Sequence, residues 1–295
     1  MSAARIAIIG GSGQLGSALC EAFADRVVTS PSHAKLALED AAAIGRLLDE
    51  SRPDVLINCA AFHRVDACEV ELENAFATNA IAVGGVAEAC AARGVAFATI
   101  STDYVFGGTL GRAYGEDDAV SPRTVYGVSK AAGEFLTRRH GPRHYIVRTS
   151  GLYGTIGSST KGYTLVEKVL QQAARGEPTR MVADMTFSPS FAPHVAQALR
   201  ELVDREAFGT HHVTNGGACT WFEFVQTAFA KAGCPEAPLE PVTYASLNNP
   251  TPRPLYSALQ NTTFARLGIA PLPTWEAGLD AFLAARKVRL AAARA

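Results

Sequence analysis

A glycine-rich turn near the start of the chain constrains its fold more than any other feature. Arg5-Ile-Ala-Ile-Ile9 is an apolar run of buried-strand length, Gly10-Gly-Ser-Gly-Gln-Leu-Gly16 follows at once, and Ser17-Ala-Leu-Cys-Glu-Ala-Phe23 is helical in pattern. Two overlapping patterns fit the turn, Gly11-x-Gly13-x-x-Gly16 and Gly10-x-x-Gly13-x-x-Gly16. Lacking side chains, these glycines permit a tight turn and let a pyrophosphate approach backbone amides at a helix N-terminus, where the positive dipole end favours an anion. A glycine turn alone is weak evidence, but strand, turn and helix in this order form the context that marks a dinucleotide site. Gly10, Ser12, Gly13, Gln14, Leu15 and Gly16 are therefore expected at the cofactor phosphates.

The same alternation continues. Arg26–Thr29, Asp54–Asn58, Val95–Ile100 and His144–Thr149 read as further strands, separated by helices near 40–50, 69–93 and 124–139. Repeated strand-helix units build a parallel sheet covered on both faces, so the expected fold class is α/β, a Rossmann-like doubly wound parallel sheet. After Gly151 the regularity fades into loops, helices near 163–175, 192–204 and 220–232, and a proline-rich stretch from Pro235 to Pro254 before a terminal helix. The division expected is a dinucleotide-binding domain over 1–150 and a mainly substrate-binding region over 151–295, some of which returns to the sheet.

With 295 residues and 48% hydrophobic content, the chain can bury a sizeable core without disulfides. Twenty-seven basic residues stand against 28 acidic ones, a net charge of −1, so composition offers no reason to expect a nucleic-acid or membrane partner. The six cysteines form no CxxC pair and no residues have metal-site spacing, which points to reduced thiols, a cytoplasmic protein and no metal. His211 and His212, adjacent on a strand, would face opposite ways. Trp221 and Phe222 read as core anchors rather than a stacking platform.

A carboxylate at the end of the second strand usually accepts the adenosine ribose hydroxyls of NAD. Here Thr29-Ser-Pro-Ser-His-Ala-Lys35 carries none. Ser30, His33 and Lys35 could instead donate to a 2′-phosphate, which favours NADP(H) and leaves NAD(H) open. Farther on, Tyr126-Gly-Val-Ser-Lys130 places a phenol and an ammonium on one helix face, after Ser101-Thr-Asp103 at a strand end. A nearby cation favours the phenolate, so Lys130 is expected to lower the Tyr126 pKa toward the range of a proton-transfer catalyst, with Thr102 bonding the substrate oxygen.

These segments, with Asn58-Cys-Ala-Ala61, Val65-Asp66, Ile100-Ser-Thr-Asp-Tyr-Val-Phe-Gly107, Gly133-Glu134, Arg148-Thr-Ser150, Thr220-Trp-Phe-Glu-Phe224 and Arg253-Pro254, resemble an extended short-chain dehydrogenase/reductase, specifically the dTDP-4-dehydrorhamnose reductase family. The resemblance implies a catalytic trio of Thr102, Tyr126 and Lys130, and a cofactor lined also by Asn58, Ala60, Ala61, Asn79 and Ser101. It implies substrate contacts at Asp103, Val105, Ser150 and Arg253, a nucleotide-sugar substrate, and pairing into a homodimer through helices flanking the sheet. Related dehydratases carry Asp-Glu after the Thr; Asp103 is followed by Tyr104, so the elimination acid is missing and a reductase is implied. Gly151 replaces the family's usual Trp, Met185–Ser190 its Gln-x-x-x-Pro-Thr stretch, His194 an Asp, and Phe62-His63 a Tyr-Thr. Two alternatives stay open: a non-catalytic cofactor-binding subunit like that of methionine adenosyltransferase, and another sugar-nucleotide reductase or epimerase.

Overall fold

The computed structural model describes residues 4–32, 34–156 and 164–292; His33 and the expected start of a helix at Tyr163 lie outside them. The first half runs β1 (Ile6–Ile9), α1 (Gln14–Ala22), β2 (Val28–Thr29), α2 (Ala41–Ser51), β3 (Val55–Asn58), α3 (Val65–Cys68), α4 (Leu72–Phe76), α5 (Val83–Ala91), β4 (Ala96–Thr102), α6 (Val125–Arg139) and β5 (His144–Thr149). The second half runs β6 (Leu152–Tyr153), α7 (Leu165–Ala174), β7 (Thr179–Val182), β8 (Thr186–Phe187), β9 (Ser190–Phe191), α8 (Ala192–Asp204), β10 (Gly209–His212), β11 (Cys219–Thr220), α9 (Trp221–Lys231), β12 (Leu239–Val242), α10 (Thr262–Arg266) and α11 (Trp275–Ala292).

Six strands form a parallel sheet in the order β10-β5-β4-β3-β1-β2. Successive side chains on a strand face opposite ways, and both faces are apolar here. Ile6, Ile8 and Val55 pack with Leu19 of α1 and Leu199 of α8, while Ala7, Ile9, Leu56 and Phe97 pack with Ile44 of α2 and Val86 of α5. That double burial explains the continuous hydrophobic strands of the sequence. From β1 the chain goes one way to β2 and the other way to β3, so a crevice opens beyond their carboxyl ends, the position where open α/β sheets bind ligands. The glycine turn after β1 and the Cys59–Ala61 loop after β3 flank it.

The sequence reads as one helix over 69–93; the structure breaks it. A π-helical turn over Ala77–Ala82 joins α4 to α5 and carries Asn79. There α6 crosses so closely that a Cβ on Gly133 would lie 2.2 Å from the Asn79 carbonyl oxygen. The second half has its own core, where Tyr153, Leu170, Phe187, Phe191, Phe224, Trp275 and Phe282 meet. Thr220 starts α9 with a capping box, its hydroxyl accepting from the Glu223 amide at 3.1 Å while the Glu223 carboxylate accepts from the Thr220 amide at 2.7 Å. Among the described residues no helix is long and apolar enough to cross a membrane.

Candidate active site

At the crevice, Gly10 adopts φ +81°, and the Gly13 amide donates to its carbonyl at 3.0 Å. A Cβ on Gly16 would fall 2.1 Å from that same oxygen and one on Gly10 3.1 Å from the Ala60 nitrogen, so the turn is packed to the limit. α1 then begins at Gln14 with no side-chain cap and no acidic residue in its first turn. Its leading amides are left for an anion. A Cβ on Gly11 would meet the Ser30 hydroxyl at 2.0 Å, which puts exposed Ser30 over the turn. Lys35 is also exposed. The loop after β3 supplies the other lip: Asn58 accepts from the Ala60 amide at 2.9 Å, and its buried side-chain nitrogen has no partner. These features fit a dinucleotide.

Thr124 caps α6 by accepting from the Gly127 amide at 3.0 Å, fixing Tyr126 and Lys130 one turn apart. Lys130 is 4% exposed, and its ammonium has no hydrogen-bond or ion-pair partner among the described residues. Burial lowers it to about 8, against the opposing pull of Glu134. A buried, unpartnered donor beside the crevice suits a ribose hydroxyl. For Tyr126 the structure corrects the sequence expectation. Burial pushes its phenol above the ordinary value; the Thr102 hydroxyl draws it down, but the Asp103 charge raises it again. Desolvation dominates here, and the Lys130 charge does not offset it.

Other expected contacts also brace the fold from within. Ser101 donates to Glu134 at 2.6 Å, and Arg148 holds the same carboxylate through bonds of 2.9 and 2.7 Å, with Arg138 at 3.0 Å. Burial would raise Glu134, but the Arg148 bonds and charge hold it below the usual carboxylate range. Asn79 accepts from the Phe62 amide and donates to the Phe62 carbonyl, both at 2.9 Å, and donates to Ser129 at 3.1 Å. Its amide thus fixes the loop after β3 and aligns α6. Val105 is fully buried against Phe106, Tyr114 and Leu259, so it offers no side chain to a ligand.

Beyond the trio lies a cavity of about 150 Å³, with Asp103, Tyr104 and Ser257 on one side and Gly151, Met185, Thr186, Phe187 and Trp221 on the other. Asp103 accepts from Ser257 at 2.5 Å, Ser150 at 2.8 Å and Thr102 at 3.1 Å; burial raises its carboxyl to about 6 despite these three donors. Gly151 sits at φ +51°, and a Cβ there would lie 2.2 Å from the Phe187 ring. Phe187 fills the place a larger residue would claim and stacks on Trp221, centroids 3.7 Å apart and planes 13° from parallel. Trp221, expected in the core, is half-buried and lines the cavity. Arg253 does not line the cavity but lies beside Tyr104, bonded to Asp66 at 2.7 Å with its Nε buried and unpartnered. A larger groove of about 580 Å³ runs along α8 from His194 to Arg205 but includes none of the expected catalytic or cofactor residues.

Sequence reasoning missed Ser257 and the Asp66 partner of Arg253. Neither lies in a spacing pattern that ties it to its partner; both are 150 or more residues away in sequence.

Residues 4–288 match the RmlD substrate binding domain family. The dTDP-4-dehydrorhamnose reductase of Streptomyces griseus is 36% identical over 283 residues, covering 93% of this chain and 91% of that protein. The spore coat polysaccharide biosynthesis protein SpsK of Bacillus subtilis is 34% identical, covering 96% and 98%. The crystal structure of dTDP-4-dehydrorhamnose reductase from Bacillus anthracis in complex with NADP superposes with a TM-score of 0.90 at 32% identity, covering 95% of this chain and 99% of that one. With a match across nearly its whole length and relatives above 30% identity, this chain belongs to the RmlD substrate binding domain family.

Proposed function

We propose that this chain is an NADP(H)-dependent reductase of a 4-keto-6-deoxy sugar nucleotide, of the dTDP-4-dehydrorhamnose reductase type that forms dTDP-L-rhamnose. The observation that carries the reading is the buried set at the end of β4, where Tyr126 and Lys130 lie one turn apart on α6, Thr102 pairs with Tyr126, and the adjoining Asp103 lines a cavity of about 150 Å³. Relatives named for this reaction, and a structural neighbour that holds NADP, support it. Ser30 and Lys35, with no carboxylate beside them, favour NADP(H) over NAD(H).

A reduced nicotinamide bound in the crevice supplies the hydride. Lys130 would hold the cofactor ribose, and its charge would favour the phenolate that Tyr126 becomes. Tyr126 protonates the oxygen of the carbonyl as its carbon is reduced. Its raised pKa keeps it protonated, and thus an acid, across the neutral range. Thr102 bonds the same oxygen. Residues 151–295, apart from α8 and β10, carry most of the substrate region, with Asp103, Ser150 and Arg253 facing the sugar nucleotide. Exposed Ile81, Val128 and Phe135 flank one helical face, where we place a homodimer contact. The reduced thiols fit the cytoplasm.

The test is loss of 340 nm absorbance with NADPH, and separately NADH, on adding dTDP-4-keto-6-deoxy-L-lyxo-hexulose generated in situ. Rapid oxidation with preference for NADPH supports the reading. Cofactor binding without oxidation refutes the activity.

A further inference from the structure

We propose that Asp103 is a positioning residue for this reduction: as a carboxylate it holds the Thr102 hydroxyl proton, and on taking up a proton it releases Thr102 to donate to the oxygen being reduced. The inference rests on the reductase reading and deepens it at the same site.

A threonine hydroxyl has one proton to donate and two lone pairs that accept. Thr102 donates to Asp103 Oδ1 at 3.1 Å and accepts from the Tyr104 amide at 3.2 Å. In that state it can only accept from whatever approaches its remaining lone pair. A carbonyl oxygen gaining negative charge needs donors, so Thr102 is then oriented the wrong way. Ser150 and Ser257 both donate to Oδ2, which leaves Oδ1 to deal with Thr102. Once Oδ1 carries a proton, it donates to Thr102. The two lone pairs of Thr102 are then filled by Asp103 and the Tyr104 amide, and its own proton turns toward the reacting oxygen beside Tyr126.

The groups that face Asp103 are Thr102 from β4, Tyr104 from the turn after it, Tyr126 from α6, Ser150 from the end of β5 and Ser257 from the C-terminal segment. Arg253 stands beyond Tyr104. Both tyrosines are pushed up by burial and by the Asp103 charge, so neither changes state near neutrality. Asp103, raised by burial to about 6, does. Over one turnover the carbon gains a hydride from the reduced nicotinamide, the oxygen gains the Tyr126 proton, and the Tyr126 phenolate takes a proton back from solvent. Asp103 exchanges a proton with solvent alone and ends unchanged.

The experiment is the pH profile of kcat from 5 to 7, below the range in which Lys130, lowered by burial to about 8, gives up its proton. Wild type should lose kcat as pH rises through about 6. Asp103→Asn mimics the protonated state, its oxygen taking the serines and its NH2 donating to Thr102, so its profile should lose the descending limb at about 6, whatever the height of its plateau. Ser257→Ala removes a donor to the carboxylate and should move the wild-type midpoint up by about one pH unit. A descending limb that persists in Asp103→Asn, or a midpoint unmoved in Ser257→Ala, overturns the proposal, as does a change confined to KM. A readout without turnover is the infrared band of the protonated carboxyl, assigned by its loss in Asp103→Asn. Its midpoint should rise by about one pH unit in Thr102→Val, and an unchanged midpoint shows that Thr102 does not hold its proton there. Absence of NADPH oxidation by wild type would sink the reductase reading while leaving the infrared result to decide the Asp103–Thr102 link.

Discussion

Replacing one glycine of the cradle should be costly, and replacing its neighbour should not. At Gly16 an added Cβ would stand 2.1 Å from the Gly10 carbonyl oxygen and 2.7 Å from the Gly11 Cα, both backbone atoms of a turn already at φ +81°. At Gly11 the nearest atom is equally close, 2.0 Å, but it is the hydroxyl of exposed Ser30, which rotates away. Gly16→Ala gains up to about 1 kcal/mol of helix propensity. Forcing a methyl into closed packing costs about 1–3 kcal/mol, and the immobility of the obstacle puts this site at the upper end. The net is a loss of about 2 kcal/mol, or a Tm lower by roughly 4–8 °C on the scaling for domains of this size. Because the displaced atoms carry the phosphate-facing amides, NADPH affinity should fall at least about tenfold, equivalent to about 1.4 kcal/mol. Gly11→Ala should stay within about 0.5 kcal/mol of wild type in stability. Its effect should show in the NADPH to NADH ratio, because Ser30 is the residue that moves. Thermal denaturation and fluorescence titration with each cofactor read all of these quantities. Equal Tm and NADPH affinity for Gly16→Ala and wild type would refute the argument that the turn has no room.

Three further outcomes follow from the site. Tyr126→Phe should cut kcat by about 10²–10⁴-fold while NADPH titration is unchanged, since only the proton donor is lost; near-normal turnover would assign that role elsewhere. Lys130→Met should stabilise the cofactor-free protein by about 3 kcal/mol at pH 7, because the folded pKa of about 8 lies below that of the unfolded chain. The unfolded state binds the extra proton between those values, so wild-type stability rises as pH climbs from about 8 to 10.5, and urea melts should show the two proteins converging there. Glu134→Gln should cost about 3–5 kcal/mol at pH 7 by leaving Arg148 buried without its carboxylate. That difference should shrink as pH falls below about 4.5, where wild-type Glu134 begins to lose its contribution, and a pH-independent difference would argue against the pairing.

Much of the fold was legible because its causes are local. The glycine turn and the apolar strands carry their signal within a few residues, and Tyr126 and Lys130 share a face by helical spacing alone. The place of strand β10 was not legible: His211 and His212 read as neighbours on a strand, but polar Gly-Thr-His-His gives no sign that it pairs with β5 or that both histidines are buried and satisfied. His211 reaches the Ala207 carbonyl at 2.8 Å and His212 the Tyr114 carbonyl at 3.0 Å. The acidity of Tyr126 was misjudged for a related reason. Sequence shows a lysine four residues away, but the burial that outweighs it comes from packing of distant segments. Ser257 joined Asp103 without a motif, across 154 residues. Local chemistry was readable; the donors and burial that set its strength were assembled by tertiary contact.

The return of the chain to pair β10 with β5 has a consequence for how the protein is made. β5 is complete at Thr149, but its outer neighbour begins only at Gly209, about sixty residues later. At synthesis rates of about 5–20 residues per second, the growing polypeptide spends several seconds with five strands assembled and one edge open. Arg148 and Glu134 lie close behind that edge, and His212, which closes over Arg148 at 3.4 Å, has not yet been synthesised. An open, apolar parallel edge is the surface that recruits other chains. Translation slowed between residues 150 and 209 should therefore raise aggregation more than an equal delay elsewhere, and a chaperone that shields this intermediate would recognise β5 rather than the nucleotide cradle.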